Sequence, residues 1–339
     1  MNNPHTIIQK EEYKSSQNVR WCPGCGDHAI LNSVQKAMAE LNLKREEVVV
    51  VSGIGCSSRF TYYMNTFGFH TIHGRGSAIA SGVKIANPNL KVWQITGDGD
   101  ALAIGGNHFI HTIRRNIDLN IILFNNQIYG LTKGQFSPTS KRGFISKTSP
   151  FGTIEHPFRP GELAIGARGN FFARTIDRKL NLCTEVFKEA AMHSGTSIVE
   201  VLQNCVIYND KTHEELTDKE EKHDRTIILK HGEPMIFGKN SDKGLVLDGM
   251  QLKVVKIGEN GITKDHLLVH DAECQDSFLH LKLTNMEYPE FPVALGVIRK
   301  VKAPVYDQEV IHQIERVQSS SNIKTFRDLA VEGDVWEVE

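Results

Sequence analysis

The sequence predicts an α/β fold: a doubly wound parallel sheet with helices on both faces, followed by a C-terminal mixed α/β extension. Two observations predict it. Short β-branched runs alternate with helical segments through the first two-thirds of the chain, a rhythm that builds a parallel sheet covered on both faces. Glycine and polar residues also gather just past the strand-like runs, where such sheets bind ligands.

The first strand is the β-branched run from Glu47 to Ser52. Gly76 to Ile85 reads as a helix that stops at Asn87-Pro88, because a residue before proline disfavours helical backbone. Leu90 to Thr96 is the next strand, Ala101 to Arg115 a helix, and Leu119 to Phe124 a strand. Arg159 to Arg168 reads as a short helix, Phe171 to Thr175 as a strand, and Asp177 to Ser194 as a helix capped by its aspartate. Ser197 to Leu202 closes the series as a strand.

Two stretches depart from the rhythm. Leu131 to Pro160 carries five basic residues, four prolines and three glycines, too irregular for a helix and long enough for a functional loop. After about Val206, Glu214 to Arg225 is a solvated run of mixed charge, and Gly232 to Gly261 holds turn signals between short apolar runs, suggesting hairpins. The expected organisation is a flexible arm over 1–18, a binding domain over 19–205, and an extension over 206–339 that serves as an appendage and subunit-interface region.

With 39 Lys and Arg against 40 Asp and Glu, the formal charge of −1 gives no global field for nucleic acid or a membrane surface. Met1 to Asn18 lacks an apolar core of the signal-peptide type, and no apolar run is long enough to span a bilayer. A cytoplasmic protein is expected. Disulfides are disfavoured there, so the six cysteines are read as metal ligands, reactive thiols or buried apolar residues. Cys22 and Cys25 form a CxxC pair, Cys56 lies in Gly-Ile-Gly-Cys, and Cys205 follows the last apolar run. Cys183 and Cys274 stand alone and read as core or surface thiols.

The most informative phrase is Gly97-Asp98-Gly99-Asp100 directly after a strand, with Asn125-Asn126 some 25 residues later at the end of the next. A carboxylate and an amide oxygen then meet at adjacent strand ends. Asp98, the Asn126 side chain and the Ile128 carbonyl fit half the oxygen shell of a magnesium ion, which keeps waters and phosphate oxygens for the rest. Gly97 and Gly99 let a diphosphate approach the backbone, and the helix behind them offers its amides. The plain alternative makes Asp98 a turn or cap residue.

Gly-Asp-Gly followed by Asn-Asn resembles the diphosphate-binding motif of thiamine-diphosphate enzymes. The block from Cys22 to Thr139 resembles the β subunit of 2-oxoacid:ferredoxin oxidoreductases. The phrases carrying this are Trp-Cys-Pro-Gly-Cys-Gly-Asp-His, Gly-Ile-Gly-Cys, His-Gly-Arg-Gly at 73–76, Gly-Asp-Gly-Asp, and Asn-Asn-Gln-Ile-Tyr-Gly-Leu-Thr-Lys-Gly-Gln-Phe-Ser-Pro-Thr-Ser, within the first 210 residues or so. The resemblance implies a sheet of the thiamine-diphosphate-binding type. It puts Gly55, Cys56, Ser57 and His73 at the cofactor beside Gly97, Asp98, Gly99 and Asp100. From the following turn it adds Asn126, Ile128, Tyr129, Gly130, Leu131 and Thr132.

The resemblance also implies that Cys22, Cys25, Cys56 and Cys205 hold one 4Fe-4S cluster, for which four thiolates are the usual set. A structural zinc on the same four is the rival on spacing alone. Redox need separates them: oxidative decarboxylation on thiamine leaves two electrons, no dinucleotide fingerprint is apparent, and a cluster takes electrons singly. Coenzyme A then receives the acyl group and ferredoxin the electrons. His73 is placed to hydrogen-bond near the reacting carbon, with a surface histidine as the alternative. Arg59 and Lys133 are candidates for the substrate carboxylate, unless they are ordinary solvated cations. Two cations favour a dicarboxylate, so 2-oxoglutarate leads over pyruvate and branched-chain oxoacids. No second αβ unit able to hold the aminopyrimidine ring is visible after Val206, so an α subunit is expected as partner, in a heterodimer or its doubled form. A non-oxidative thiamine enzyme subunit is the other class that shares the diphosphate motif.

Overall fold

The computed structural model describes residues 7–333 together with 336 and 338. The elements run α1 (Asp27–Glu40), β1 (Val48–Ser52), β2 (Phe67–His70), α2 (Gly76–Ala86), β3 (Lys91–Gly97), α3 (Asp98–Leu102), α4 (Gly106–Arg115) and β4 (Asn120–Asn125). After a long irregular segment come α5 (Pro160–Gly166), β5 (Phe171–Ile176), α6 (Leu180–Met192) and β6 (Ser197–Leu202). The tail holds α7 (Lys222–Arg225), β7 (Thr226–Leu229), β8 (Ile236–Phe237), β9 (Lys243–Asp248), β10 (Gln251–Lys256), α8 (Phe278–Thr284), β11 (Val293–Lys300), α9 (Tyr306–Ser320) and α10 (Phe326–Ala330).

Eight strands form one sheet in the order β2-β1-β3-β4-β6-β5-β11-β7. Pairing is parallel from β2 through β5, and β11 then runs antiparallel to β5. Because strand side chains alternate, Val48, Val50, Trp93, Ile95, Ile122 and Phe124 join one core with α1 and α6. Val49, Val51, Val92, Ile121 and Leu123 join the other, against α4 and α5 residues such as Phe109 and Ala164. Each buried valine of β1 contributes about 1.5–3 kcal/mol, which is why the run reads as strand despite lacking alternation. Chain order reverses between β1 and β3, so the crevice at their carboxyl ends is the switch point.

The structure differs from the expectations in four places. The helix expected over Ala101–Arg115 breaks into α3 and α4, where a Cβ on Gly105 would stand 2.3 Å from the Asp100 carbonyl oxygen. Asp177 caps no helix: α6 starts at Leu180, and the Asp177 carboxylate accepts from the Asn204 amide at 2.8 Å. The tail is more than an appendage, since β7 and β11 extend the main sheet while β8, β9 and β10 make the expected hairpins. Of the arm over 1–18, residues 1–6 lie outside the described residues, and the remainder is tied down by a fully buried Tyr13 whose hydroxyl donates to the Leu43 carbonyl. Among the described residues no helix is long and apolar enough to cross a membrane.

Candidate cofactor cleft and thiol pocket

A cleft of about 500 Å³ opens at the switch point, lined by the residues after β1, β3 and β4. All of Gly55, Cys56, Ser57, His73, Gly97, Asp98, Gly99 and Asp100 line it, as do Asn126, Ile128, Tyr129, Gly130, Leu131 and Thr132. Ile54 and Gln135 complete the wall.

The two aspartates of the Gly-Asp-Gly-Asp turn have different work. One Asp100 oxygen accepts from the Ile54 amide (3.1 Å), the Gly74 amide (2.7 Å) and His73 Nδ1 (2.7 Å), and the other accepts from Thr96 Oγ1 (2.8 Å). Asp100 is therefore a knot that ties three loops together, and glycine at 53 is required because a Cβ there would stand 1.8 Å from its oxygen. The knot also fixes His73: Nδ1 donates to the carboxylate, leaving Nε2 as the unassigned ring nitrogen. Asp98 is held by fewer groups. One oxygen accepts from the Ser137 and Thr139 hydroxyls, both at 2.5 Å, out of the long segment between β4 and α5. Burial pushes its carboxyl up to about 6, against the pull of those two hydroxyls.

Asn126 bends its own loop, its side-chain oxygen accepting from the Ile128 amide at 3.1 Å. One lone pair of that oxygen is left for a cation. Tyr129 donates to the Gly99 carbonyl at 2.9 Å and packs so close that a Cβ on Gly99 would meet its ring at 2.3 Å. Behind Asp98 the polar chain continues: Thr139 lies 2.9 Å from Asn125 Oδ1, Asn125 donates to Glu200 at 2.7 Å, and Arg174 donates to Glu200 at 2.6 Å. An open, glycine-lined cleft with a buried carboxylate and a nearby amide oxygen fits a diphosphate anchored through magnesium. Arg59 and Lys133 do not line this cleft. Arg59 donates to the Tyr63 hydroxyl at 3.1 Å, and Lys133 is exposed in a left-handed backbone conformation, φ +79°.

Cys205 and Cys56 flank Gly130, where a Cβ would lie 3.4 Å from Cys205 Sγ and 3.7 Å from Cys56 Sγ, and Cys25 lies near both with Cys22 near Cys56. All are free of disulfides. Burial, then Asp27, then Cys205 and Cys56 push the Cys25 thiol up. Burial, Asp27, Cys205 and Cys22 raise Cys56 to about 12. Burial thus holds the Cys25 and Cys56 thiols in the neutral form, and a strongly cationic group beside them would be needed to ionise them. Among the described residues no three Cys, His, Asp or Glu side chains converge as ligands of one ion would. In number and type the four thiols match the usual ligand set of a 4Fe-4S cluster. Cys183, by contrast, is fully buried and donates to the Ile176 carbonyl at 3.3 Å, while Cys274 is exposed.

Ser137, Thr139, Gln203 and Asp27 escape sequence reasoning. The only signal for the first two is the hydroxyl-rich Ser137-Pro138-Thr139-Ser140. Asp27 is buried beside Cys25, and among the described residues neither oxygen has a partner within ordinary hydrogen-bond geometry; burial, then Asp177, raises its carboxyl to about 7, against the pull of the nearby Cys25 thiol.

A parallel sheet with this cleft at its switch point defines a thiamine-diphosphate-binding domain, and residues 46–201 match the family described as thiamine pyrophosphate enzyme, C-terminal TPP binding domain. The chain is 45% identical over 332 residues to the 2-oxoglutarate oxidoreductase subunit KorB of Mycobacterium tuberculosis, covering 97% of this chain and 88% of that one. It is 46% identical over 185 residues to the 2-oxoglutarate synthase subunit KorB of Archaeoglobus fulgidus, covering 55% of this chain and 69% of that one. Among solved structures it resembles a 2-oxoglutarate:ferredoxin oxidoreductase from Magnetococcus marinus with 2-oxoglutarate, coenzyme A and succinyl-CoA bound. The TM-score is 0.77 at 30% identity, with 97% of this chain and 98% of that one covered. The chain belongs to the family of 2-oxoacid:ferredoxin oxidoreductase β subunits.

Proposed function

We propose that the chain, together with an α subunit, oxidatively decarboxylates 2-oxoglutarate in the cytoplasm, yielding succinyl-CoA, carbon dioxide and two electrons for ferredoxin. One observation carries the reading: Cys56 lines the cofactor cleft beside Asp98 and Asn126, and its sulfur flanks Gly130 together with that of Cys205. Cleft and thiol pocket therefore share a wall, so electrons have a short path between them. When bound, thiamine diphosphate supplies the electron sink for loss of the carboxylate, and a 4Fe-4S cluster a one-electron store. Asp98, Asn126 and the Ile128 carbonyl hold magnesium, and Cys22, Cys25, Cys56 and Cys205 hold the cluster. His73, fixed through Nδ1, presents Nε2 toward the substrate. Lys133 follows the lining residue Thr132 and Arg59 stands two residues beyond the lining residue Ser57, so each meets a substrate carboxylate at the rim. 2-Oxoglutarate is favoured by the names of the relatives in Mycobacterium and Archaeoglobus and by the ligands of the Magnetococcus structure.

The test is the co-expressed pair, purified without oxygen and supplied with a panel of oxoacids. Iron and sulfide in the preparation, and viologen reduction that requires coenzyme A and is fastest with 2-oxoglutarate, are expected. Zinc in place of iron, or full turnover by this chain alone, would refute the proposal.

A further inference from the structure

Gln203 follows β6 directly, two residues before Cys205, and its side chain is 1% exposed. Its amide nitrogen lies 2.6 Å from the Asn204 carbonyl oxygen and 3.3 Å from Cys25 Sγ. A carbonyl only accepts, so Asn204 settles which way the amide faces and leaves the second N–H for the sulfur. The backbone holds this arrangement. Gln203 N donates to the Asn125 carbonyl at 3.0 Å, and Gly26 N donates to the Asn204 carbonyl at 3.2 Å, zipping the Cys25 turn to the Gln203 turn. Only glycine fits at 26, since a Cβ there would lie 2.0 Å from Asp177 Oδ2 and 3.0 Å from Gln203 Cγ. Among the described residues no other side chain donates to the sulfur of Cys22, Cys25, Cys56 or Cys205; Trp21 Nε1 donates to the Cys56 carbonyl at 2.7 Å instead.

The surroundings otherwise oppose added negative charge. Asp27 is buried against Cys25 and Asp177 packs against Gly26. Reducing a cluster places a further electron partly on its thiolate sulfurs, and a donor aimed at one of them stabilises the reduced form, so the potential rises. We propose that Gln203 is a positioning residue for electron transfer, whose hydrogen bond to Cys25 Sγ holds the cluster's reduction potential above what its buried, acid-flanked thiolates would set. The inference rests on the reading of Cys25 as a cluster ligand.

The experiment is a potentiometric titration of the αβ complex, followed by electron paramagnetic resonance of the reduced cluster. Gln203→Leu keeps the volume and removes the donor. Its midpoint is expected to fall by about 59 mV, a tenfold shift for a one-electron couple, with iron content and thiamine binding at wild-type levels. A second measurement needs no variant: wild-type complex labelled with nitrogen-15 in glutamine side chains should show hyperfine coupling between that nitrogen and the reduced cluster. A wild-type complex without iron overturns the cluster reading itself. A cluster present with no coupled glutamine nitrogen, or a Gln203→Leu midpoint equal to wild type, overturns the role given to Gln203 alone.

Discussion

The cofactor cleft and the thiol pocket lie on either side of Gly130, yet their polar groups are treated in opposite ways. In the cleft, both Asp100 oxygens are paired with backbone amides, His73 and Thr96, and Asp98 is braced by two hydroxyls. Around the thiols, both Asp27 oxygens and the Gln203 side-chain oxygen are buried without partners among the described residues. A buried polar group left unpaired costs about 1–3 kcal/mol, so the pocket carries a cost that the cleft, whose carboxylates the chain itself satisfies, does not.

The most severe way to break the comparison is at Asp98, the metal ligand proposed for the cleft. Asp98→Ala should abolish magnesium-dependent thiamine-diphosphate binding and turnover while the iron–sulfur absorbance stays intact, read by calorimetry and visible spectra on one preparation. Undiminished activity would remove Asp98 from the metal. The reciprocal change sharpens the contrast: Cys205→Ser should strip iron from the complex and loosen the Cys22–Asp27 and Gln203–Cys205 segments in hydrogen exchange, with cofactor binding kept. If the cleft loosened equally, the two regions would be one cooperative unit.

The bracing of Asp98 gives a smaller effect. Thr139→Val and Ser137→Ala each remove a hydroxyl that orients the carboxylate, and partners of this kind typically cost about 10–100-fold in metal affinity when lost. A magnesium titration of cofactor binding reads this directly. A change below twofold in both variants would show that Asp98 is oriented by the turn alone.

What was legible in the sequence follows the same division. Strands β1, β3, β4, β5 and β6 are short β-branched or apolar runs bounded by turn residues, and each lies where its pattern puts it. Helix α1 lies before the strand-helix rhythm begins, although Ile30, Leu31, Val34, Ala37 and Met38 repeat at helical spacing. Strand β11 was hidden by Gly296, which adopts φ +99° where a Cβ would stand 2.6 Å from the Leu229 carbonyl oxygen. The Gly-Asp-Gly-Asp turn and the cysteines announce themselves as local phrases. Ser137 and Thr139 reach Asp98 across 39 and 41 residues, and Gln203 reaches Cys25 across 178. Such pairings are products of the sheet order, which no single window of sequence contains.

The mildest test concerns the support behind the cleft. His213 is buried, its Nε2 faces the Asn125 carbonyl oxygen at 3.1 Å, and burial lowers its pKa to about 4. Glu200 favours the charged form, while Lys141 and Arg174 oppose it. A histidine depressed from its ordinary value near 6.5 binds fewer protons folded than unfolded, so stability falls as pH drops from about 6.5 toward 4. Between those limits the cost is roughly 1 kcal/mol per pH unit, since one pKa unit corresponds to about 1.4 kcal/mol. His213→Gln keeps a donor for the Asn125 carbonyl and cannot titrate, so its urea midpoint should decline less between pH 6 and 5 than the wild-type midpoint. Equal slopes would mean that His213 is already accessible to protons in the native fold, and that the layer behind Asn125 is less sealed than its hydrogen bonds imply.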